Sequence, residues 1–179
     1  VLERLDRRNL FIVALDPQRR WYRYHPLFAG FLRARLAETA SAEEVAELHR
    51  RAAEAYVDRG AVQEAIRHAL AAEDFERAQA LITVQVEPTF RRSELRTLLG
   101  WIDALPEARL DADRFLGMAS AWAGLALGDD ERVAHRLRAV ERAVGVTAEA
   151  IDRVRALPPE ERGAIAEVLC VRTSLAFNQ

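Results

Sequence analysis

Apolar residues fall into two regimes along this chain. Near the N-terminus they come in short runs rich in β-branched and aromatic residues; from Pro26 onward they recur at helical spacing. Leu10-Phe11-Ile12-Val13-Ala14-Leu15 is short, apolar and partly β-branched, as a buried strand is. Asp16-Pro17 supplies turn chemistry, and Trp21-Tyr22-Arg23-Tyr24-His25 alternates like a return strand. Before this hairpin, Leu2 and Leu5 read as the last turns of a helix that Asn9 can close in a left-handed conformation. After it, Pro26 suits the first position of a helix, where a missing N–H costs nothing. Leu27, Phe28, Phe31, Leu32 and Leu36 then share one helix face. Helix, hairpin, helix is the ending of a winged-helix unit.

The rest of the pattern is helical throughout. Ser41-Ala42-Glu43-Glu44 is a capping box, starting a helix with a stripe of Val45, Leu48, Ala52, Ala55 and Tyr56 that Gly60 ends. Val62, Ala65, Ile66, Ala69 and Leu70 form the next stripe. Asp74 caps a helix carrying Phe75, Ala78, Leu81 and Ile82, and Ser93 is expected to start one with Leu95, Leu98, Leu99 and Ile102, closed before Pro106. Asp111 is the expected cap for Phe115, Ala119, Trp122, Ala123 and Ala126. Gly128-Asp129 turns the chain into Val133, Leu137, Val140 and Val144. Thr147 is expected to cap a short helix through Ile151 and Val154, stopped by Pro158-Pro159, and a last helix carries Ile165, Leu169, Arg172, Leu175 and Ala176.

Turns that precede an acidic residue and an Ala recur, at Gly60 to Ala65, Asp74 to Ala78 and Gly128 to Ala134. Small residues interleaved with large ones describe helix hairpins packed closely and stacked side by side. The fold class is therefore mainly α: a short β-hairpin, the wing, followed by an antiparallel α-solenoid of tetratricopeptide-like helix hairpins. Residues 1–39 are expected to be the C-terminal part of a winged-helix unit with its exit helix, and residues 40–179 the first part of the repeat domain. The absence of an initiator Met and the end in mid-pattern suggest a piece of something longer.

Composition narrows the function by exclusion. A formal net charge of −2 gives no drive toward nucleic acid or anionic membrane. Arg7-Arg8 and Arg19-Arg20 bracket the hairpin and can touch phosphates, but no basic stripe continues beyond them, so DNA contact by this piece is not expected. Cys170 is the only cysteine and sits on an apolar stripe, which describes a buried structural thiol. No run approaches the length of a membrane span and nothing resembles a signal peptide, so the expected location is cytoplasmic and no membrane partner is expected. Phosphate loops, zinc helices and nucleophile elbows are missing, and the four histidines lack metal spacing, so neither an enzyme nor a metal site is expected. His49 and His68 lie near helix stripes and read as packing residues; His135 reads as a surface residue. His25 stands apart. At a strand-to-helix junction before Pro26, an imidazole can bond an anion or the exposed helix start, and equally can be a local cap or packing residue.

Arg8-Asn9-Leu10-Phe11-Ile12-Val13-Ala14-Leu15-Asp16, Trp21-Tyr22-Arg23-Tyr24-His25-Pro26-Leu27-Phe28, Leu48-His49-Arg50-Arg51-Ala52-Ala53 with Gly60, and Glu64-Ala65-Ile66-x-His68-Ala69-Leu70 together resemble the large LuxR-type, MalT-like bacterial activators. The resemblance is ordered from Leu2 to Ile82 and weaker afterwards, although Trp101-Ile102-Asp103-Ala104-Leu105-Pro106 also fits. It implies a multidomain signal-transduction ATPase: a nucleotide-binding module, a winged helix, a tetratricopeptide-like superhelix and a C-terminal helix-turn-helix. ATP or ADP would then belong to the parent protein, with no cofactor in these residues. Related switch ATPases carry a Met-His-Asp motif at the end of the winged helix whose His meets the nucleotide phosphate. Tyr24-His25-Pro26 holds the similar place, and only the His matches, so His25 alone becomes a nucleotide-sensing candidate.

The sequence thus points to a regulatory fragment that links a nucleotide switch to a sensor arm. The partners it implies are the ATPase domain of the same chain, a small-molecule inducer or regulatory protein on the superhelix, further copies of the protein through self-association, and DNA through a separate domain. The alternative is a helical-repeat scaffold that binds protein segments and has no part in transcription.

Overall fold

The structure, a computed structural model, describes residues 11–18, 22–144 and 171. Expectations for Leu2, Leu5, Asn9, the Arg7-Arg8 and Arg19-Arg20 pairs, Trp21, Cys170 and the helices begun by Thr147 and near Ile165 lie outside those residues. The described chain holds one two-stranded antiparallel sheet and eight helices: β1 (Ile12–Ala14), β2 (Tyr22–Tyr24), α1 (Pro26–Thr39), α2 (Ala42–Val57), α3 (Val62–Ala71), α4 (Phe75–Arg91), α5 (Leu95–Asp103), α6 (Glu107–Ala112), α7 (Arg114–Leu127) and α8 (Asp130–Val144). A wing followed by helical hairpins is the fold that the periodicity predicts. The chain divides into two compact units, Val1–Leu48 and His49–Gln179, described in turn.

In the first unit, β1 and β2 pair with Ile12 opposite Tyr24, Val13 opposite Arg23 and Ala14 opposite Tyr22. Phe11 has φ 57°, a left-handed conformation that interrupts extended chain and is rare for a bulky residue, so β1 begins at Ile12. Among the described residues of the hairpin, Ile12 alone is buried. Pro26 takes the first turn of α1 as expected. The apolar face of α1 does not form a core: no residue of the helix is buried, and Leu27 and Phe31 are 81% and 63% exposed. Only Phe28 among its aromatics gains shelter, from Phe11 and Tyr24 of the hairpin. The capping box forms in full. The Ser41 backbone N–H and hydroxyl both donate to Glu44 Oε2, at 2.8 and 3.0 Å, and the Glu44 N–H returns a bond to Ser41 Oγ. Those donors hold the Glu44 carboxyl below its ordinary pKa.

In the second unit, the tail of α2 and helices α3 to α7 enclose one core and α7 with α8 a second. Ala53, Ile66, Ala69, Ala78, Ile82, Leu98, Ile102, Leu110, Leu116 and Ala119 belong to the first; Met118, Ala121, Val133, Leu137, Val140 and Val171 belong to the second. The α2 stripe is turned from its expected setting. Leu48 is exposed and Ala53 is the buried residue, because His49, Ala53 and Tyr56 lie on the side that meets α3. Pro88 lies inside α4, where it removes the backbone donor that would otherwise meet the Val84 carbonyl; the Val84 residue is 70% exposed.

Two expected caps move. Ser93 has φ 57° and cannot cap, since a cap residue needs an extended conformation; Glu94 occupies that place without a side-chain bond. An additional short helix, α6, takes up Asp111, so the cap of α7 is Asp113, whose carboxylate accepts the Leu116 N–H at 3.0 Å. The buried face of α7 shifts with it: Leu116 is buried, and Phe115 is 54% exposed. Asp74 caps α4, accepting the Arg77 N–H at 3.2 Å, as expected.

Four turns share one hydrogen-bond pattern. At Gly60, Glu73, Ser93 and Gly128 the residue has positive φ and donates to the carbonyl three residues back. The next residue (Ala61, Asp74, Glu94, Asp129) donates to the carbonyl five residues back. This is the Schellman ending of a helix, and it closes α2, α3, α4 and α7.

Candidate functional site at the hairpin-to-helix junction

His25 joins β2 to α1. Its N–H donates to the Phe11 carbonyl at 2.6 Å, extending the hairpin ladder, and its carbonyl accepts the Ala29 N–H at 2.9 Å, the first bond of the helix. The backbone is held from both sides, while the side chain is exposed and makes no capping bond. An open cavity of about 350 Å³ adjoins it, lined by Phe11, His25, Leu27, Phe28 and Phe31. Phe28 is its hub: it stacks on Phe11 at 5.0 Å, meets Tyr24 edge-on at 5.6 Å and neighbours Phe31 at 6.4 Å. The N–H groups of Leu27 and Phe28 have no intrahelical acceptor at that position, and the helix start favours negative charge. The junction therefore combines an anion-attracting end with an apolar, aromatic wall.

The other three described histidines are engaged in the second unit. His49 and His68 meet Nδ1 to Nδ1 at 2.8 Å, and Tyr56 stacks on His68 with ring centres 5.3 Å apart and planes 13° apart. Burial pushes the His68 pKa down, aided by His49 and Arg67 and opposed by Glu64. The sequence placed both on helix faces but gave no sign that they touch, because they are brought together only when α2 folds back on α3. His135 is a surface residue, as read, and its Nε2 lies 2.9 Å from Glu107 Oε1. The same carboxylate takes both terminal nitrogens of the buried Arg136, at 2.6 and 3.1 Å. Arg132 likewise spans Asp103 with two bonds, at 2.6 and 3.0 Å, and reaches Asp129 at 3.1 Å, which raises its pKa. These clusters tie α8 to α5 and α6. No group of three or more His, Cys, Asp or Glu side chains able to hold a metal occurs among the described residues. No described helix is long and apolar enough to cross a membrane.

The structure is a β-hairpin, its exit helix and a helical-repeat array, and comparison with known proteins gives the class. The MalT winged helix domain family matches residues 1–44. The chain is 39% identical over 121 residues to the HTH-type transcriptional regulator MalT of Klebsiella pneumoniae (strain 342), a match covering 68% of this chain and 13% of that protein. The MalT of Serratia proteamaculans (strain 568) is 40% identical over the same share of each. The serine/threonine-protein kinase PknK of Mycobacterium tuberculosis (strain ATCC 25618 / H37Rv) is 35% identical over 145 residues, 81% of this chain and 13% of the kinase. No solved structure matches. The chain is MalT-like and has transcriptional regulators among its relatives, of whose length it spans about 13%.

Proposed function

We propose that this chain is the relay segment of a MalT-like transcriptional regulator, connecting a nucleotide switch to a sensor arm. On this reading residues 1–39 are the end of the winged-helix unit and residues 40–179 begin the superhelix. His25 reads the phosphate of ATP or ADP held by the ATPase domain of the same protein. An inducer or regulatory protein engages the helical array and biases the parent between resting and self-associating states. DNA is met through another domain, and the protein works in the cytoplasm. Similarity to a kinase over the same segment supports an input role, since a segment shared by a regulator and a kinase serves different outputs.

The observation that carries the phosphate role is the junction itself: an exposed imidazole on a backbone pinned at both sides, beside helix-start N–H groups. In the complete parent protein His25→Ala should change nucleotide retention or basal transcriptional output. Retention and output both equal to wild type would sink the sensing role.

A further inference from the structure

The His49–His68 pair belongs to neither the junction nor the ion-pair clusters, and its geometry restricts what it can do. With ring centres 5.0 Å apart and the two Nδ1 atoms 2.8 Å apart, the nitrogens lie close to the line joining the rings and aim at one another. That arrangement holds one proton: one Nδ1 donates and the other accepts through its lone pair. One charged ring can still donate to a neutral partner, but charging both sets two N–H groups and two positive charges head to head, beside the Tyr56 ring stacked on His68.

The pair also lies where its loss matters. Side chains from both helices meet where α2 faces α3. From α2 these are His49, Ala53 and Tyr56; from α3 they are His68 and its buried neighbours Ile66 and Ala69. On α2, Arg50 directly follows His49, and Glu47 and Glu54 lie on the same helix. On α3, Glu64 favours and Arg67 disfavours a charged His68. The charged link from α4 is Arg77, which reaches Glu54 of α2 at 3.1 Å and is unchanged by imidazole protonation.

We propose that His49 and His68 form a one-proton latch that holds α2 on α3 and releases it when both imidazoles are charged. The helical array thereby carries an acid-sensitive joint in its first hairpin, a means of regulation separate from any ligand on the superhelix and independent of the role proposed for His25.

The sign follows from the proton count. The folded pair resists its second proton and the unfolded chain does not, so unfolding takes up protons in acid. The bridge survives one charge, so stability falls where the second ring charges, at pH values below the ordinary histidine value of 6.5. The test uses the 179-residue chain with two measurements. Imidazole nitrogen NMR at about pH 7.5, above the range where histidine charges, should show one bare and one protonated Nδ1 in the pair. Thermal unfolding followed between about pH 7.5 and 5 should show a falling limb that His49→Gln and His68→Gln each flatten. Two independent rings with bare Nδ1 atoms, or an acid limb the same in both variants as in wild type, would overturn the latch. Loss of the pair's NMR signature on adding EDTA would overturn it too, since a metal would then be the link. Should a variant fail to fold, the wild-type titration decides alone: the second protonation of the pair must fall below the ordinary value.

Discussion

Glu107 shows how one residue can organise its surroundings from the surface. Its carboxylate is about half exposed, yet it accepts both terminal nitrogens of Arg136, whose side chain is 7% exposed. His135 bonds the same Oε1 that Arg136 Nη1 reaches, and these partners, His135 first, hold the Glu107 carboxyl below its ordinary pKa. A carboxyl with a depressed folded pKa contributes stability that is present above the unfolded value of about 4.5 and lost as pH falls through the folded one. Glu107→Gln should therefore cost about 1–2 kcal/mol near neutral pH, the buried-pair loss discounted because one partner meets water. Most of that cost is the Arg136 guanidinium left half-satisfied, since its Nε already lacks a partner. Urea unfolding at neutral pH and again near pH 3, below the carboxylate range, should show the gap between variant and wild type closing in acid. An equal gap at both would mean that the ion pair contributes nothing.

At the scale of elements, the unit of construction is the Schellman turn, and half of its uses carry strain. Gly60 and Gly128 take the left-handed position without a Cβ, whereas Glu73 and Ser93 take it with one. Glu73→Gly and Ser93→Gly should each stabilise the chain by about 1 kcal/mol, and Gly60→Ala should destabilise it by a similar amount, read as shifts in melting temperature. If Ser93→Gly is neutral or worse, the turn is held by something other than its backbone. The same turns explain what the sequence could and could not tell. Hydrophobic spacing placed the wing, the capping box at Ser41, the Asp74 cap and the stripes of α3 and α8, because each depends on residues within a few positions of one another. Ser93 was misplaced because Ser is both a cap residue and a tolerable left-handed residue, and only the fold chooses between them. The α1 stripe was amphipathic in sequence without being buried, since periodicity shows a face and not what covers it. His25 was legible as a junction residue from Pro26, but its aromatic wall depends on Phe11 folding across the hairpin. The His49–His68 contact was not legible, as nothing local records which faces of two helices will meet.

At the scale of the second unit, stability depends on how its two cores are joined, and α7 joins them. Leu116 and Ala119 face the first core while Met118 and Ala121 face the second, so one helix is a wall for both. It is set tightly against α8: a Cβ on Gly124 would meet Arg132 Cδ at 3.1 Å and Val133 Cγ2 at 3.3 Å, and one on Gly117 would meet Val140 Cγ2 at 3.1 Å. Close packing of this kind transmits displacement instead of absorbing it. In a stack of repeats each hairpin answers only to its neighbours, and a shared helix extends that reach by one step. Leu116 is fully buried, so Leu116→Ala should cost about 2–5 kcal/mol through lost burial and the cavity left behind. Amide exchange should then quicken on both sides of the substitution, in α4 and α5 and also in α8. Leu137→Ala, which faces the second core alone, should leave α3 and α4 protected. If Leu116→Ala loosens only the first core, the two cores fold as separate cooperative blocks and α7 is a boundary between them. If it loosens both, a signal received anywhere along this stretch of the array has a rigid path through α7.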